Sequence, residues 1–287
     1  MIGLSLPLDY LAGDAPATPA AAAWQTALGS ADASLAALKE AGVTSIELRF
    51  IPRDAPGARV LAAAQRVWDA GLATTLHGHL PAPPLAATFA GLYPSLAPLA
   101  EALARRGAQS VVTLHCYATP GAPAEDLAAR TASALATITA VLERESIPLR
   151  IALENDGART QAGPSVTYRG ILQIIRQVGS GRLGACWDFG HAQANVLAGR
   201  LEAAPDAAYL ASVIHTHVHD LGPRTHFPLS CGAVPVERFL DVLLAEGYSG
   251  VLNLELSPDR FPEQPLAESV YASIERLAAH LRRRAGP

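Results

Sequence analysis

The stretch "SVIHTHVHDLG", residues Ser212 to Gly222, places three histidines at alternate positions of an otherwise apolar run. Successive side chains of a β-strand point to opposite faces, so His215, His217 and His219 would share one face of a strand. Such a face is typical of a functional site, or of a packed strand whose histidines bond to each other and to the backbone. The rest of the chain decides between these two interpretations.

Seven other short β-rich segments occur along the chain, with helical stretches between them. In chain order the eight segments are "IGLSLPL", "TSIELRF", "ATTLHGHL", "SVVTLHCY", "LRIALEN", "LGACWDFG", "SVIHTHVH" and "GVLNLEL". They recur at intervals of roughly 30 to 40 residues, which is about the length of one βα unit of an eight-unit barrel. We therefore predict an α/β fold, a single (β/α)8 TIM barrel domain over residues 1–287. A doubly wound open sheet is the structural alternative.

The same alternation gives most of these segments one apolar face and one polar face. In a barrel the apolar face packs on the helices, while the inward face ends at an open mouth where active sites lie. Six titratable residues fall late in their strands on the inward side: His79, His115, Glu154, Asp188, His217 and Glu255. An open sheet would not by itself place ionisable groups at so many strand ends. Glu47, Arg49 and Arg150 also face inward, and for them we predict a buried ion-pair network.

The composition excludes several classes of function. Lys39 is the only lysine and lies in a helical stretch, so neither a Schiff-base lysine in a pocket nor a P-loop lysine is available. The formal net charge of -4 argues against a nucleic-acid partner, because such partners usually require a basic face. Cys116, Cys186 and Cys231 are isolated, which is typical of packing residues in a reducing compartment. No apolar run reaches the roughly 18 residues of a membrane span, and we predict a cytoplasmic protein without a membrane partner.

Carboxylates that converge with histidines inside a barrel need positive charge to offset the cost of their burial. The candidates on the fifth to eighth strands are Glu154, Asp188, His217 and Glu255. These strands are neighbours around a closed barrel, so one divalent ion could reach all four residues. Mixed oxygen and nitrogen ligands suit manganese, magnesium, cobalt or zinc. We therefore predict one divalent metal as the cofactor, of open identity.

At these residues the chain resembles the xylose isomerase-like TIM-barrel superfamily, which includes the ketose 3-epimerases and the endonuclease IV group. The matching pieces are "SIELR" on the second strand, "HLP" on the third, "ALENDG" on the fifth, "CWDFGHA" on the sixth, "HVHD" on the seventh and "GYSGVLNLEL" at the eighth. They span nearly the whole chain. In this order and spacing they are specific for the superfamily, although not for one member.

The resemblance implies that the four residues of the fifth to eighth strands hold the metal that the superfamily shares. Within the histidine stretch the acidic residue three positions after His217 matches the family pattern, which leaves His215 and His219 as outer or pocket groups that contact substrate. His79 and His115 match two histidines that hold a second zinc in the endonuclease IV group. A second metal, or a pocket role, is therefore open for this pair.

His191 and His226 match ligands of a third zinc in the endonuclease IV group. The aspartate expected two residues before His226 is Arg224 in this chain, and an arginine has no lone pair with which to bind a metal. The resemblance to ketose epimerases, in which an arginine near this position faces the hydroxyls of the sugar, implies that Arg224, His191 and His226 bind substrate.

The resemblance thus implies a divalent-metal-dependent isomerase or epimerase that acts on a ketose or polyol. Glu154 and Glu255 would be the catalytic residues and would transfer the proton through a metal-stabilised enediolate. The alternatives are an endonuclease IV-like phosphodiesterase on abasic DNA, another small-molecule lyase or isomerase, and a barrel that binds without catalysis. The partner expected is a small-molecule sugar, and the sequence leaves a homo-oligomer open.

Overall fold

The computed structural model describes residues 1–15, 17–157, 163–230 and 232–285. Eight parallel strands close into a barrel in chain order, with β8 paired to β1. The strands are β1 (Ile2–Pro7), β2 (Val43–Arg49), β3 (Ala73–His77), β4 (Ser110–Leu114), β5 (Leu149–Glu154), β6 (Leu183–Asp188), β7 (Val213–Val218) and β8 (Leu252–Leu254). Each strand lies within one of the eight segments predicted from the sequence, except that β2 begins at Val43, one residue before its segment. The predicted α/β class and the single closed barrel are confirmed.

Helices connect the strands and surround the barrel. Those of the described residues are α1 (Leu8–Ala12), α2 (Pro19–Leu28), α3 (Ala31–Glu40), α4 (Gly57–Asp69), α5 (Phe89–Leu92), α6 (Ala97–Arg105), α7 (Ala124–Arg144), α8 (Tyr168–Val178), α9 (Phe189–Leu197), α10 (Ala207–Ser212), α11 (Val236–Ala245) and α12 (Leu266–Ala285). Short 3-10 turns occur at Pro164–Val166 and Pro258–Arg260. None of the described helices is both long enough and apolar enough to cross a membrane.

Leucine dominates the outward face of the strands because that face packs on the helices. Leu48, Leu114 and Leu153 are completely buried there, as are Ile171 and Ile174 on the inner side of α8. Burial of each such side chain contributes about 1.5–3 kcal/mol relative to leaving it exposed. This apolar layer between strands and helices is the main core, and it leaves the inward face of the strands free to carry polar groups.

The register of the strands brings inward side chains from neighbouring strands to the same depth. The Cα atoms of Asp188 and His217 are paired across β6 and β7, and those of His217 and Asn253 across β7 and β8. On the other side of the barrel Ser5 is paired with Glu47. The polar groups of one layer therefore meet at the barrel axis instead of being distributed along it.

Candidate metal centre

Four buried groups at the carboxyl ends of adjacent strands converge on one point. Glu154 and Asp188 are the last residues of β5 and β6, His217 lies next to the end of β7, and Glu255 follows β8 directly. Each offers one ligand atom, and these four atoms all lie within 4.8 Å of one another. None of the four residues is more than 2% exposed. These are the four residues for which the sequence predicted a shared ion.

The orientation of His217 is set from below by Glu47. The Nε2 atom of His217 lies 3.1 Å from Oε2 of Glu47, and a carboxylate in this position can only accept, so Nε2 carries the hydrogen. In the neutral imidazole the lone pair is then on Nδ1, which lies 3.0 Å from Oε1 of Glu154 and 3.3 Å from Oε2 of Glu255. His217 therefore presents its ligand nitrogen to the carboxylates of the cluster.

Glu47 is itself held by four donors. Its Oε1 atom accepts from Ser5 Oγ at 2.7 Å and from Asn253 Nδ2 at 3.1 Å, while Oε2 faces both His217 and His215 Nε2 at 3.1 Å. Burial alone would raise the pKa of Glu47, but the facing histidines hold it well below its ordinary value. Glu47 is thus an ionised carboxylate beneath the candidate ligands, and His215 is packed at this lower level.

Asp188 is fixed by the start of the helix that follows it. It is the N-cap of α9, and its Oδ1 atom accepts from the backbone N–H of His191 at 2.6 Å. Its backbone is held by Asn155, whose side chain bonds to both the N–H and the carbonyl of Asp188. His219 Nε2 approaches the carboxylate at 3.1 Å. Asp188 is therefore oriented before any ion binds.

Glu255 is paired with an arginine. Among the described ion pairs, this is the one in which a guanidinium reaches the cluster. Arg49 Nη2 lies 3.0 Å from Oε1 of Glu255, and both side chains are nearly inaccessible to solvent. Burial alone would raise the pKa of Glu255, but Arg49 and the facing histidines hold it well below the usual range. The network predicted for Glu47, Arg49 and Arg150 is therefore different: Arg49 pairs with Glu255, and Glu47 with two histidines. Arg150 lies near the opposite end of its strand, and no described ion pair joins it to either group.

The polar atoms of this cluster suit a divalent cation. Oε2 of Glu154 and Oε2 of Glu255 are buried and accept no hydrogen bond of good geometry from a described residue. Nδ1 of His217 faces oxygen acceptors at 3.0–3.3 Å, so either a proton or a metal ion must lie between them. Against the opposing effect of burial, the carboxylates raise the pKa of His217 well above its ordinary value, so a proton takes this position when no ion is bound. Three carboxylates and one imidazole are a donor set for manganese, magnesium, cobalt or zinc.

A second group of donors lies beside Glu154. His77 Nε2 and His115 Nε2 each lie 3.3 Å from Oε2 of Glu154, and the three residues form another cluster that could hold an ion. His115 Nδ1 lies 2.7 Å from Oδ1 of Asp156, and after the opposing effect of burial these acidic neighbours raise the pKa of His115 to about 10. His79, which the sequence paired with His115, lies at the exposed rim of the cavity, because β3 ends at His77 and the chain turns away.

A third group combines His191, His219 and His226 within ligand distance of one another. Arg260 Nη1 lies 2.7 Å from Nδ1 of His226, and since a guanidinium only donates, Nδ1 must accept and Nε2 must carry the hydrogen. Neither nitrogen of His226 is then free to bind a metal. Burial lowers the pKa of His226 to about 3, which keeps this side chain neutral.

The remaining predicted residues are distributed unevenly around the site. His191 and His226 line the cavity, whereas Arg224 lies exposed on the loop after β7, away from the lining. Within the described part of the chain, Arg49 and Arg260 are the arginines that reach the cavity instead. Whether these two side chains reach the cavity depends on how far β2 extends along the barrel axis and on the conformation of the turn after β8. No local sequence pattern predicts either of these.

Neither Cys116 nor Cys186, the cysteines that the structure describes, offers a ligand atom to the cluster of four. Cys116 and Cys186 are buried as predicted for packing residues, and burial raises the pKa of the Cys116 thiol to about 12. Cys231 lies outside the described residues.

Glu154 and Glu255 of this cluster lie at the floor of a cavity of about 650 Å3 at the carboxyl end of the barrel. His77, His115, His191 and His226 also line the cavity, His79 lies at its rim, and apolar side chains form much of the remaining lining. A cavity with a few convergent polar groups at its base is the usual form of a small-molecule site.

The sequence matches the family model of the xylose isomerase-like TIM barrel over residues 35–280. The chain belongs to this family. This match confirms the resemblance to the xylose isomerase-like TIM-barrel superfamily. Among curated proteins, a sequence search finds none that matches the chain.

Solved structures of the xylose isomerase-like fold superpose on nearly the whole chain. One is the 3-keto-D-glucoside 4-epimerase YcjR from E. coli, with a TM-score of 0.63 and 15% identity over 95% of this chain and 99% of that one. An L-ribulose 3-epimerase has a TM-score of 0.62 and 20% identity over 99% and 96%. The D-allulose 3-epimerase from Methylomonas sp. in complex with D-allulose has a TM-score of 0.63 and 13% identity over 97% and 96%. At these identities the likeness establishes a shared fold.

Proposed function

We propose that the protein is a divalent-metal-dependent sugar epimerase or isomerase. The observation that carries this proposal is the pair of buried glutamates, Glu154 and Glu255, which meet across His217 at the floor of the cavity. Two ionised carboxylates beside one candidate ion can remove a proton from a carbon and return it, which is the chemistry that epimerisation and isomerisation share. The proposal is further supported by structural neighbours that are named as sugar epimerases.

Glu154, Asp188, His217 and Glu255 would hold the cation. When bound, it would supply positive charge that polarises a carbonyl and stabilises negative charge on the oxygens of an enediolate. Glu154 and Glu255 transfer the proton at the carbon beside the carbonyl. Return to the opposite face of the same carbon gives an epimer, and return to the neighbouring carbon gives an isomer.

The two glutamates have different surroundings. Arg49 carries a permanent charge 3.0 Å from Glu255, whereas Glu154 faces His77 and His115. Since the pKa of His115 is raised to about 10, this imidazole is also positive near neutral pH, and the positive neighbours hold both carboxylates ionised. In our proposal one of the two glutamates removes the proton and the other returns it.

Deuterium exchange tests the proposal. The protein loaded with manganese is incubated with a panel of ketohexoses and ketone-bearing glycosides in deuterated water, and NMR follows deuterium at the carbon beside the carbonyl. We expect exchange with at least one of these sugars, slowed about 100-fold or more in Glu154→Gln because one of the two proton-transfer groups is lost. Metal content is measured in parallel, so that loss of the ion is separated from loss of the proton-transfer group.

Glu101→Gln is the matched control, because Glu101 lies exposed on α6 and contacts only Arg105 among the described ion pairs. It should leave exchange unchanged. A metal-loaded protein that exchanges deuterium with none of the sugars, or a Glu154→Gln variant that retains the rate, would contradict the proposal.

Phosphodiester hydrolysis is a second candidate, favoured by one observation. The group of His77, His115 and Glu154 shares Glu154 with the cluster of four, so that two ions could lie side by side, as in many phosphodiesterases. Cleavage of an abasic duplex by protein that holds two metal ions, without deuterium exchange, would favour this candidate over the first.

A further inference from the structure

Phe50 occupies an unusual position at the mouth of the cavity. It directly follows β2, lines the cavity and is 47% exposed, which for a large apolar side chain is rare in this structure. Its φ of 55° lies in the left-handed region, which bulky side chains seldom adopt. Backbone strain of this kind costs stability and tends to persist where function requires it.

The side chain of Arg49 connects the cluster of four to this ring, because it contacts both Glu255 and Phe50. Arg49 pairs with Glu255 at 3.0 Å, and its guanidinium carbon lies 4.2 Å from the ring centroid of Phe50. The guanidinium covers part of the ring, and the exposed remainder borders the cavity. A substrate with its reacting carbon near Glu255 would thus extend toward Phe50.

The cavity as a whole is larger than a single sugar ring requires, and part of its lining is apolar. The apolar residues of the lining include Phe50, Ile51, Pro52, Tyr117, Pro120 and Leu127, which lie there together with polar residues such as Thr119 and Asp156. A volume of about 650 Å3 is in the range that buries drug-sized ligands. The C–H face of a sugar ring or an aryl ring packs well on an aromatic side chain, because both surfaces are apolar and flat.

We infer that Phe50 is the platform of a second binding site, which holds a ring attached to the reacting sugar. The inference rests on the proposed function and names its substrate class: a ketone-bearing sugar linked to a second ring, rather than a free monosaccharide. When the link is through the anomeric carbon, that carbon is an acetal, so the ketone must be at another ring carbon. The attached ring is a sugar or an aryl group, and both present the same stacking face.

Binding of probes without a ketone tests the inference separately from turnover. NMR titration measures the affinity of the metal-loaded protein for glucose, cellobiose and 4-nitrophenyl glucoside. We expect the two-ring probes to bind more tightly than glucose. Phe50→Ala should weaken their binding about tenfold, as expected for loss of one stacked ring, and leave glucose binding within about twofold. Tight binding of cellobiose identifies a second sugar, and tight binding of the nitrophenyl glucoside alone identifies an aryl group.

Two further variants make the result specific. Phe50→Asn removes the ring but tolerates the left-handed backbone, so it should reproduce the loss in a protein that folds normally. Leu197→Ala truncates another exposed apolar side chain, at the end of α9, and should change no affinity. Equal binding of one-ring and two-ring probes, or equal weakening of both in the Phe50 variants, would overturn the inference. Failure of deuterium exchange would instead count against the proposed function alone.

Discussion

Two residues of β2, Glu47 and Arg49, contact the candidate metal centre at different depths along the barrel axis. Glu47 and Arg49 are two positions apart on the same inward face, yet Glu47 lies below the cluster and orients His217, whereas Arg49 reaches Glu255 at its upper edge. Each contact fixes a different property: the first decides which nitrogen of the imidazole can bind an ion, and the second decides the basicity of a glutamate. A change at Glu47 should therefore act mainly on metal binding, and a change at Arg49 mainly on proton transfer.

We predict that Glu47→Gln weakens metal binding by about 10-fold to 100-fold, the usual cost of losing a partner behind a ligating histidine. A glutamine can donate to Nε2 of His217 and so stabilise the tautomer with hydrogen on Nδ1, which cannot bind metal. Competition with a fluorescent chelator gives the affinity, and long-range 1H–15N NMR identifies the tautomer.

Ser5→Ala is the control for this change. It removes a hydrogen bond to Oε1 of Glu47 and leaves the contact between Oε2 and His217 in place. Unchanged metal affinity in Glu47→Gln, or an equal loss in Ser5→Ala, would contradict the role of Glu47.

Helices α11 and α12 are joined by a bidentate ion pair. Arg276 Nε and Nη2 donate to the two carboxylate oxygens of Glu237 at 2.7 and 2.9 Å, and the guanidinium also donates to the carbonyl of Leu229. The hydrogen bond from Arg276 lowers the pKa of Glu237. This pair ties the last helix to the chain segment that precedes α11.

We predict that Glu237→Gln lowers the free energy of unfolding by about 0.2–1 kcal/mol at neutral pH, the usual size for a partly exposed pair. Because the pKa of Glu237 is lower in the folded protein, the stabilisation exists above the ordinary carboxyl pKa and is lost as the pH falls through the folded value. Urea denaturation at a series of pH values should show the variant and the wild type converging in acid. Glu101→Gln should show no such dependence, and a constant difference at every pH would refute the assignment to charge.

The strands could be predicted from the sequence, because one apolar and one polar face give an alternation that is visible in eight separate segments. The depth of a side chain along the barrel axis could not. His77 and His79 share a face, but β3 ends at the first of them, so the second turns away from Glu154. Arg49 and Arg150 also both face inward, but they lie at opposite ends of their strands. Depth depends on the stagger between strands, which is a property of the closed barrel and not of any one strand.

For the whole molecule, closure of the barrel is what creates the site. The four residues of the candidate metal centre are separated by up to about a hundred positions in sequence, and they meet because β5 to β8 are consecutive around the barrel. The carboxylates and the histidine could be predicted as a set, since each falls at the end of its strand. Arg49, Glu47 and Arg260 could not, because their contacts cross the barrel or come from the turn after β8.

Anomalous diffraction from crystals grown with manganese tests the central claim most directly. We predict one strong anomalous peak at the metal absorption edge, within about 2.0–2.6 Å of an oxygen of Glu154, Asp188 and Glu255 and of Nδ1 of His217, as expected for divalent metal ligands. In Asp188→Asn crystals the peak should be weaker or absent. A peak that lies on other residues, or no peak within reach of these four in crystals whose protein binds manganese in solution, would contradict the account.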